Sequence, residues 1–319
     1  MLKHTETSDV GNLNIERWRK VKRSVRLNLF AAQDGSIVTL PVGIVAGRGS
    51  GPIVTVVAGQ HGDEWNGVYV CHRLFEICQY ADMQGTLVLV PVANPQAFAQ
   101  RSRVSSIDHV DMNRSYGSPS GGKSTEHVSR LLMKHIYAKS GYVVDLHTGG
   151  SGEYSPNVGV VDQSRLQEAA ALGLPYAVVV DTDHTSLMPA LERRSIPAIT
   201  VQMGTSLHID KDNCELLVAG IINFLRYLGA LRGEAESLGL PVLFAGKELV
   251  TAPAPGVFEA VARLGEAVEE GQLLGQVTPL FSSGPLPVHA GSAGVVFYIH
   301  RHQIVAEEDE LFHIGVAAP

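Results

Sequence analysis

The feature that most constrains this chain is a repeated alternation in its first two thirds. Short, predominantly apolar, β-branched runs alternate with stretches of helical period. Residues 53–58 read IVTVVA, residues 86–92 read TLVLVPV and residues 142–146 read YVVDL. A strand wet on one face alternates apolar and polar side chains, so a continuous apolar run needs cover on both faces, as in a parallel sheet. Between the first two runs, Val68, Val70, Leu74, Phe75 and Cys78 recur at helical spacing, which predicts a helix over 65–80. Helices are also expected over 125–137, 163–172 and 215–231, and strands over 156–161, 176–180 and 198–201. Residues 24–46 read as two or three strands with a turn at Asp34-Gly35. The class is α/β: a mixed, mainly parallel sheet flanked by helices.

Near Gly239 the character changes. Short strands over 240–244, 256–262 and 294–299 alternate with Gly and Pro, and no helix is expected. The division predicted is 1–236 and a small β-barrel or β-sandwich domain over 237–319, with the boundary in 232–237.

Composition excludes several partners. The chain has 319 residues, 25 Lys+Arg against 32 Asp+Glu, and a net charge of −7. It offers no electrostatic footprint for nucleic acid or an anionic membrane. No window approaches a membrane-spanning apolar stretch, and the first ten residues lack the apolar core of a secretory signal. The three cysteines, Cys71, Cys78 and Cys214, make no disulfide framework. Cys71 and Cys78 lie about two turns apart on one helix face, too far to bridge. Buried thiols and a cytoplasmic location are expected.

The chemistry gathers at strand ends. His61, Glu64 and His147 each lie at or just past the carboxyl end of an expected strand, the edge where open α/β sheets bind ligands. Two histidines and a carboxylate suit a catalytic zinc. His61 and Glu64 can share an ion from one strand-to-helix turn, and His147 would arrive from another strand. Each also has a plainer reading: Asp63 and Glu64 as first-turn helix acids, His147 as a core histidine, and Asp145 as its orienting partner or merely a strand-end acid. Residues 93–124 are polar, with few periodic signals, and long loops of this kind are often functional.

Three segments, Gly59-Gln60-His61-Gly62-Asp63-Glu64, Asp111-Met112-Asn113-Arg114 and Asp145-Leu146-His147-Thr148-Gly149, resemble the succinylglutamate desuccinylase/aspartoacylase family, a branch of the zinc carboxypeptidase-like fold. The resemblance is dense over 53–150, looser to Phe224, and resumes in the terminal β-region. It implies Zn2+ on His61, Glu64 and His147. It also implies Arg103 aimed at the scissile carbonyl, and Asn113 and Arg114 on a substrate carboxylate. A planar guanidinium suits both tasks, although Arg101 is a neighbour that could be confused with Arg103. Tyr154 could reach the site. His184, His208, His300 and His302 are expected in surface or core roles.

One position departs from the family's pattern. Members carry a glutamate, in a setting like Val-Glu-x-Gly, that acts as general base for the attacking water. Here Val201-Gln202-Met203-Gly204 places Gln202 there, and an amide can orient water but not take its proton. Glu153 or Asp210 is a candidate substitute. The terminal region, from Pro255 to Gly275, resembles a lipoyl/biotinyl-type sandwich. Residues 278–286, where a carrier lysine would sit, contain none, so a lid, a pocket wall or an oligomer contact is expected instead. The reading is zinc-dependent hydrolysis of an N-acyl amino acid or similar small amide. The rivals are a peptide carboxypeptidase and, because of Gln202, a zinc-containing binder of low or no activity. The partner is a small molecule, and the oligomeric state is left open, a homo-oligomer included.

Overall fold

The structure is a computed structural model that describes residues 6–32, 34–117, 122–180, 185–281 and 284–317. The chain opens with strand β1 (Glu6–Asp9), then β2 (Val21–Ala31) and β3 (Ile37–Ala46). β2 and β3 form a long antiparallel hairpin, and Asp34 Oδ1 accepts from the Ser36 amide at 2.9 Å in the turn. The α/β stretch follows as β4 (Ile53–Val57), α1 (Asn66–Ile77), β5 (Thr86–Val90), α2 (Pro95–Gln100), α3 (Ser124–His135), β6 (Tyr142–His147) and β7 (Gly152–Val160). It continues as α4 (Leu166–Ala171), β8 (Tyr176–Val179), α5 (Leu187–Glu192), β9 (Ala198–Gly204) and α6 (Lys211–Tyr227). The expected strands and long helices are present. Two helices were not legible: α2, inside the polar excursion, and α5, whose Pro189 hides a single turn and a half. α2 is capped by the Asn94 side chain, which accepts from the Ala97 amide, with Pro95 at its first position.

The apolar runs are buried as their composition requires. Every residue of β5 and β6 is buried. β4 pairs in parallel with both β5 and β6, and β6 with β9. β3–β5 and β7–β9 are antiparallel, so the sheet is mixed. One apolar cluster packs α1, α4 and α6 against one face; a second packs α3 and α5, with the N-terminal strands, against the other.

The remaining strands are β10 (Val242–Thr251), β11 (Gly256–Ala260), β12 (Ala267–Val268), β13 (Leu273–Thr278), β14 (Leu286–His289), β15 (Gly294–His300), β16 (Ile304–Val305) and β17 (Glu310–Ala317). No helix occurs among the described residues after α6. A separate sheet runs β14-β13-β11-β16 and packs on β10, β15 and β17 through an apolar cluster that includes Phe258, Leu274, Val277 and Phe312. The other strands join the main sheet: β8 pairs with β10, β10 with β17, β17 with β15, and β15 returns to β7. With the β7–β8 pairing, five strands close into a ring that draws on both sides of residue 236. No helix among the described residues is long and apolar enough to cross a membrane.

Candidate metal centre and substrate cleft

β4 ends at Val57, and the chain turns at Gly59, whose φ of +64° favours glycine. The next turn carries His61 and Glu64 and lies tight against α2. A Cβ on Gly62 would meet the Ala97 carbonyl at 2.1 Å, and the Gly62 amide donates to the Ser102 carbonyl at 2.9 Å. His147 is the last residue of β6 rather than the first beyond it, and it pairs in register with Gln202 of β9.

These folds bring His61, Glu64 and His147 together. All three are buried, and their ligand atoms lie within 4.8 Å of one another. His61 Nδ1 is 2.7 Å from Glu64 Oε1, and His147 Nδ1 is 3.0 Å from Glu64 Oε2. The outward nitrogens are also held. Asp111 Oδ1 is 2.9 Å from His61 Nε2, and Asp145 Oδ2 is 3.1 Å from His147 Nε2. Gln60 Nε2 donates to Asp145 Oδ1 at 2.6 Å. Each histidine is thus backed by a carboxylate that fixes ring and tautomer, as is usual for metal-ligating imidazoles.

The electrostatics fit a cation. Glu64, Asp111 and Asp145 gather about the two imidazoles, and Arg103 lies beside them with its Nη2 3.0 Å from Asp111 and its Nη1 3.6 Å from Glu64. Burial alone would push His147 down, but Asp145 and Glu64 override it and raise it to about 10. His61 also rises, because Glu64 and Asp111 outweigh burial. Glu64 opposes its own burial and falls well below the carboxylate range beside the two imidazoles. The cluster therefore draws positive charge to itself, and a metal ion would take the place of those protons.

The centre lies in a cleft of about 880 Å³ lined by Arg103, Asn113, Arg114, Gln202 and Tyr154, among others. Arg103 is the cleft arginine; Arg101 sits at the end of α2 with φ +53° and does not line the cleft. Asn113 Oδ1 accepts from the Leu187 amide at 3.0 Å, which ties it to the start of α5, and its Nδ2 lies 3.3 Å from His147 Nε2. The Gln202 side chain makes no hydrogen bond among the described residues, and Asn157 donates to its backbone carbonyl at 3.3 Å. Neither candidate substitute lines the cleft. Glu153 is bound to Arg301 at 2.6 Å, and Asp210 caps α6 through Asn213.

The comparisons decide the family. Residues 50–228 match the succinylglutamate desuccinylase/aspartoacylase catalytic domain. The chain belongs to this family. Among family relatives, N-alpha-acetyl-L-2,4-diaminobutyric acid deacetylase of Halomonas elongata is 29% identical over 265 residues, which cover 79% of this chain and 77% of that one. A product-bound structure of the ectoine utilization protein EutE (DoeB) from Ruegeria pomeroyi superposes with a TM-score of 0.85 at 25% identity, covering 96% and 98% of the two chains. A succinylglutamate desuccinylase/aspartoacylase from Rhodobacter sphaeroides gives a TM-score of 0.85 at 23% identity, with the same coverage, and shows the shared fold.

Sequence reasoning missed several cleft residues. Asp111 lay inside a quoted motif without a role. Lys247, Phe297, Tyr298, His302, Glu310 and His313 all line the cleft from the C-terminal region, which forms one of its walls. His302 is exposed at that wall, His208 is exposed, and His300 is buried. His184 lies outside the described residues.

Proposed function

We propose that this chain hydrolyses the amide bond of an N-acylated amino acid or a similar small, carboxylate-bearing amide, on a zinc ion held by His61, Glu64 and His147 in a carboxypeptidase-like catalytic domain. The observation that carries this is the buried two-histidine, one-carboxylate group with an aspartate behind each imidazole. It is supported by the deacetylase and ectoine-utilization relatives. Zinc at such a site supplies Lewis acidity toward a carbonyl and activates water at neutral pH. Arg103 stabilises the charge that develops on the carbonyl oxygen. Arg114 grips the substrate carboxylate in a bidentate pair, assisted by the Asn113 amide. Gln202, next to His147 across β6 and β9, orients the attacking water without accepting its proton. Residues 237–319 act as the wall that closes the cleft. Three buried free thiols support a cytoplasmic location.

A panel of N-acyl amino acids, assayed with verified zinc content, tests the reading. Turnover should vanish on chelation and return with zinc. Amidating the substrate carboxylate should cost about 2–5 kcal/mol of binding if its pair is buried, and Arg114→Ala should erase that preference. Equal binding of acid and amide would remove Arg114 from this role. Gln202 favours a second reading, a zinc-containing binder of low activity. Tight binding of these compounds without product, under any metal, would establish it.

A further inference from the structure

The wall contributed by the C-terminal strands carries a hydrogen-bonded chain that the reaction as described does not use. Strand register builds it. Tyr154 on β7 pairs with Gly204 of β9 on one side and with Tyr298 of β15 on the other, and Tyr298 pairs with His313 of β17. Directly opposed residues share a sheet face, so the row Gly204, Tyr154, Tyr298, His313 runs away from the Gln202 strand along the cleft. Glu310 Oε2 lies 2.7 Å from His313 Nε2, and the Tyr154 hydroxyl lies 3.1 Å from His313 Nδ1. Tyr298 stacks on the His313 ring at 4.3 Å and 24°. All four side chains line the cleft.

The polarity of this chain is fixed from its acidic end. A carboxylate only accepts, so the proton of a neutral imidazole sits on Nε2 and Nδ1 becomes an acceptor. Lys247 from β10, Tyr298 from β15, Tyr154 from β7 and Glu310 on its own strand face His313, and of these only Glu310 favours the charged ring. Burial and Lys247 lower it to about 4, against the pull of Glu310. Tyr154 must therefore spend its one hydrogen on His313, which leaves only lone pairs for the cleft. Arg103, Arg114 and Lys247 are donors, matched to the carboxylate and carbonyl oxygens of an acylated amino acid. What such a substrate offers an acceptor is the N–H of the bond to be cut.

We propose that Tyr154, polarised by His313 and Glu310, is a specificity-determining residue that accepts a hydrogen bond from the scissile amide nitrogen, so that the cleft selects N–H-bearing amides over esters and N-alkylated amides. This rests on the amide-hydrolase reading above.

The test compares an N-acyl amino acid with the ester of the corresponding 2-hydroxy acid. Tyr154→Phe should lower kcat/KM for the amide about five- to tenfold, the value of one hydrogen bond, and leave the ester within about twofold. Glu310→Gln, on a half-exposed side chain, is the second variant. Its amide can donate to Nε2, which turns the chain around and makes Tyr154 a donor, so the same selective loss is expected. Two measurements do not depend on turnover. 15N NMR should find His313 as the Nε2–H tautomer in the natural protein. Calorimetry should find the product amino acid bound more tightly than its 2-methoxy analogue, which has no hydrogen to donate, a preference that Tyr154→Phe abolishes. Equal losses on amide and ester, or an Nδ1–H tautomer, overturn the inference. If the natural protein cleaves neither compound, the amide-hydrolase reading falls, and the amine-against-methoxy binding difference alone then decides on Tyr154.

Discussion

Two buried histidines about one cleft, His147 on its floor and His313 in its wall, are pushed in opposite directions. His147 is raised to about 10 and His313 is lowered to about 4. Burial acts on both in the same sense, against the charged form. The difference lies in their neighbours. Asp145 and Glu64 flank His147, whereas Lys247 faces His313 and Glu310 supplies one partly exposed carboxylate. The floor is built to hold positive charge, and the wall is built to keep a neutral ring with a set direction of hydrogen bonding. The identity of the residue therefore says little about its task until the charges around it are counted.

The largest expected effect breaks the floor outright. His147→Ala should lose nearly all the stoichiometric zinc and, with it, turnover, as elemental analysis beside the panel assay would establish. Unchanged metal content would take His147 out of the site. Next is a pair of opposite pH slopes in the metal-free protein. His313 has a folded value below its unfolded one, so its contribution to stability is present above about pH 6.5 and is lost as the pH falls toward 4. That loss is at most about 3 kcal/mol. His147 has a folded value above its unfolded one, so its contribution is present below about 6.5 and is lost as the pH rises toward 10. Denaturant melts of the natural protein and His313→Gln across pH 4–7 check the first slope, which the variant should flatten. A histidine NMR titration reads both directly.

A smaller effect separates the two backing carboxylates. Asp145→Asn should weaken zinc binding by about 10–100-fold. Asp111→Asn should fall at the low end of that range. Asp145 is almost wholly enclosed, whereas the Asp111 side chain is 23% exposed and shared with Arg103. Competition with a chelator of known affinity measures both, and a larger loss at Asp111 would reverse the ranking. The smallest effect concerns Gln202. Gln202→Glu is close to isosteric and restores an acid beside His147. Turnover of the N-acyl panel should rise at least about tenfold, a conservative share of what a placed general base contributes, and the pH profile should gain an acidic limb. A natural protein that is already fast and unmoved by the change would show that the proton goes elsewhere.

The floor was legible because its residues travel in short contiguous motifs. Gly59 to Glu64 is one turn after one apolar strand, and Asp145 and His147 share the end of another, so sequence order alone places them at one edge of the sheet. Gln202 was singled out through the family resemblance alone, and its place opposite His147 comes from the pairing of β6 with β9. The wall was not. Tyr154, Tyr298 and His313 stand far apart in the chain and meet only through the register of three strands, including a shift between Val296 and Tyr298 that no single-sequence pattern encodes. α5 was hidden for a different reason. Pro189 and its short length erase the helical period, and its start is held from outside by Asn113. The apolar alternation fixed the class of the first two thirds, but it carried no signal for the ring that β7 and β8 close with β10, β15 and β17.

That ring imposes a timetable on the ribosome. β7 and β8 emerge early, yet the start of β7 waits for β15 and the outer edge of β8 for β10, and the ring stays open until β17 joins them. β17 ends at Ala317, roughly 160 residues after β7, which is about 8–30 s of synthesis. During that interval the nascent chain presents bare β-edges beside a half-made cleft, a template for pairing with a neighbouring copy. Folding yield in the cell should therefore depend on what shields those edges until β17 is made, and a stall between β8 and β17 should cost more folded protein than one after β17.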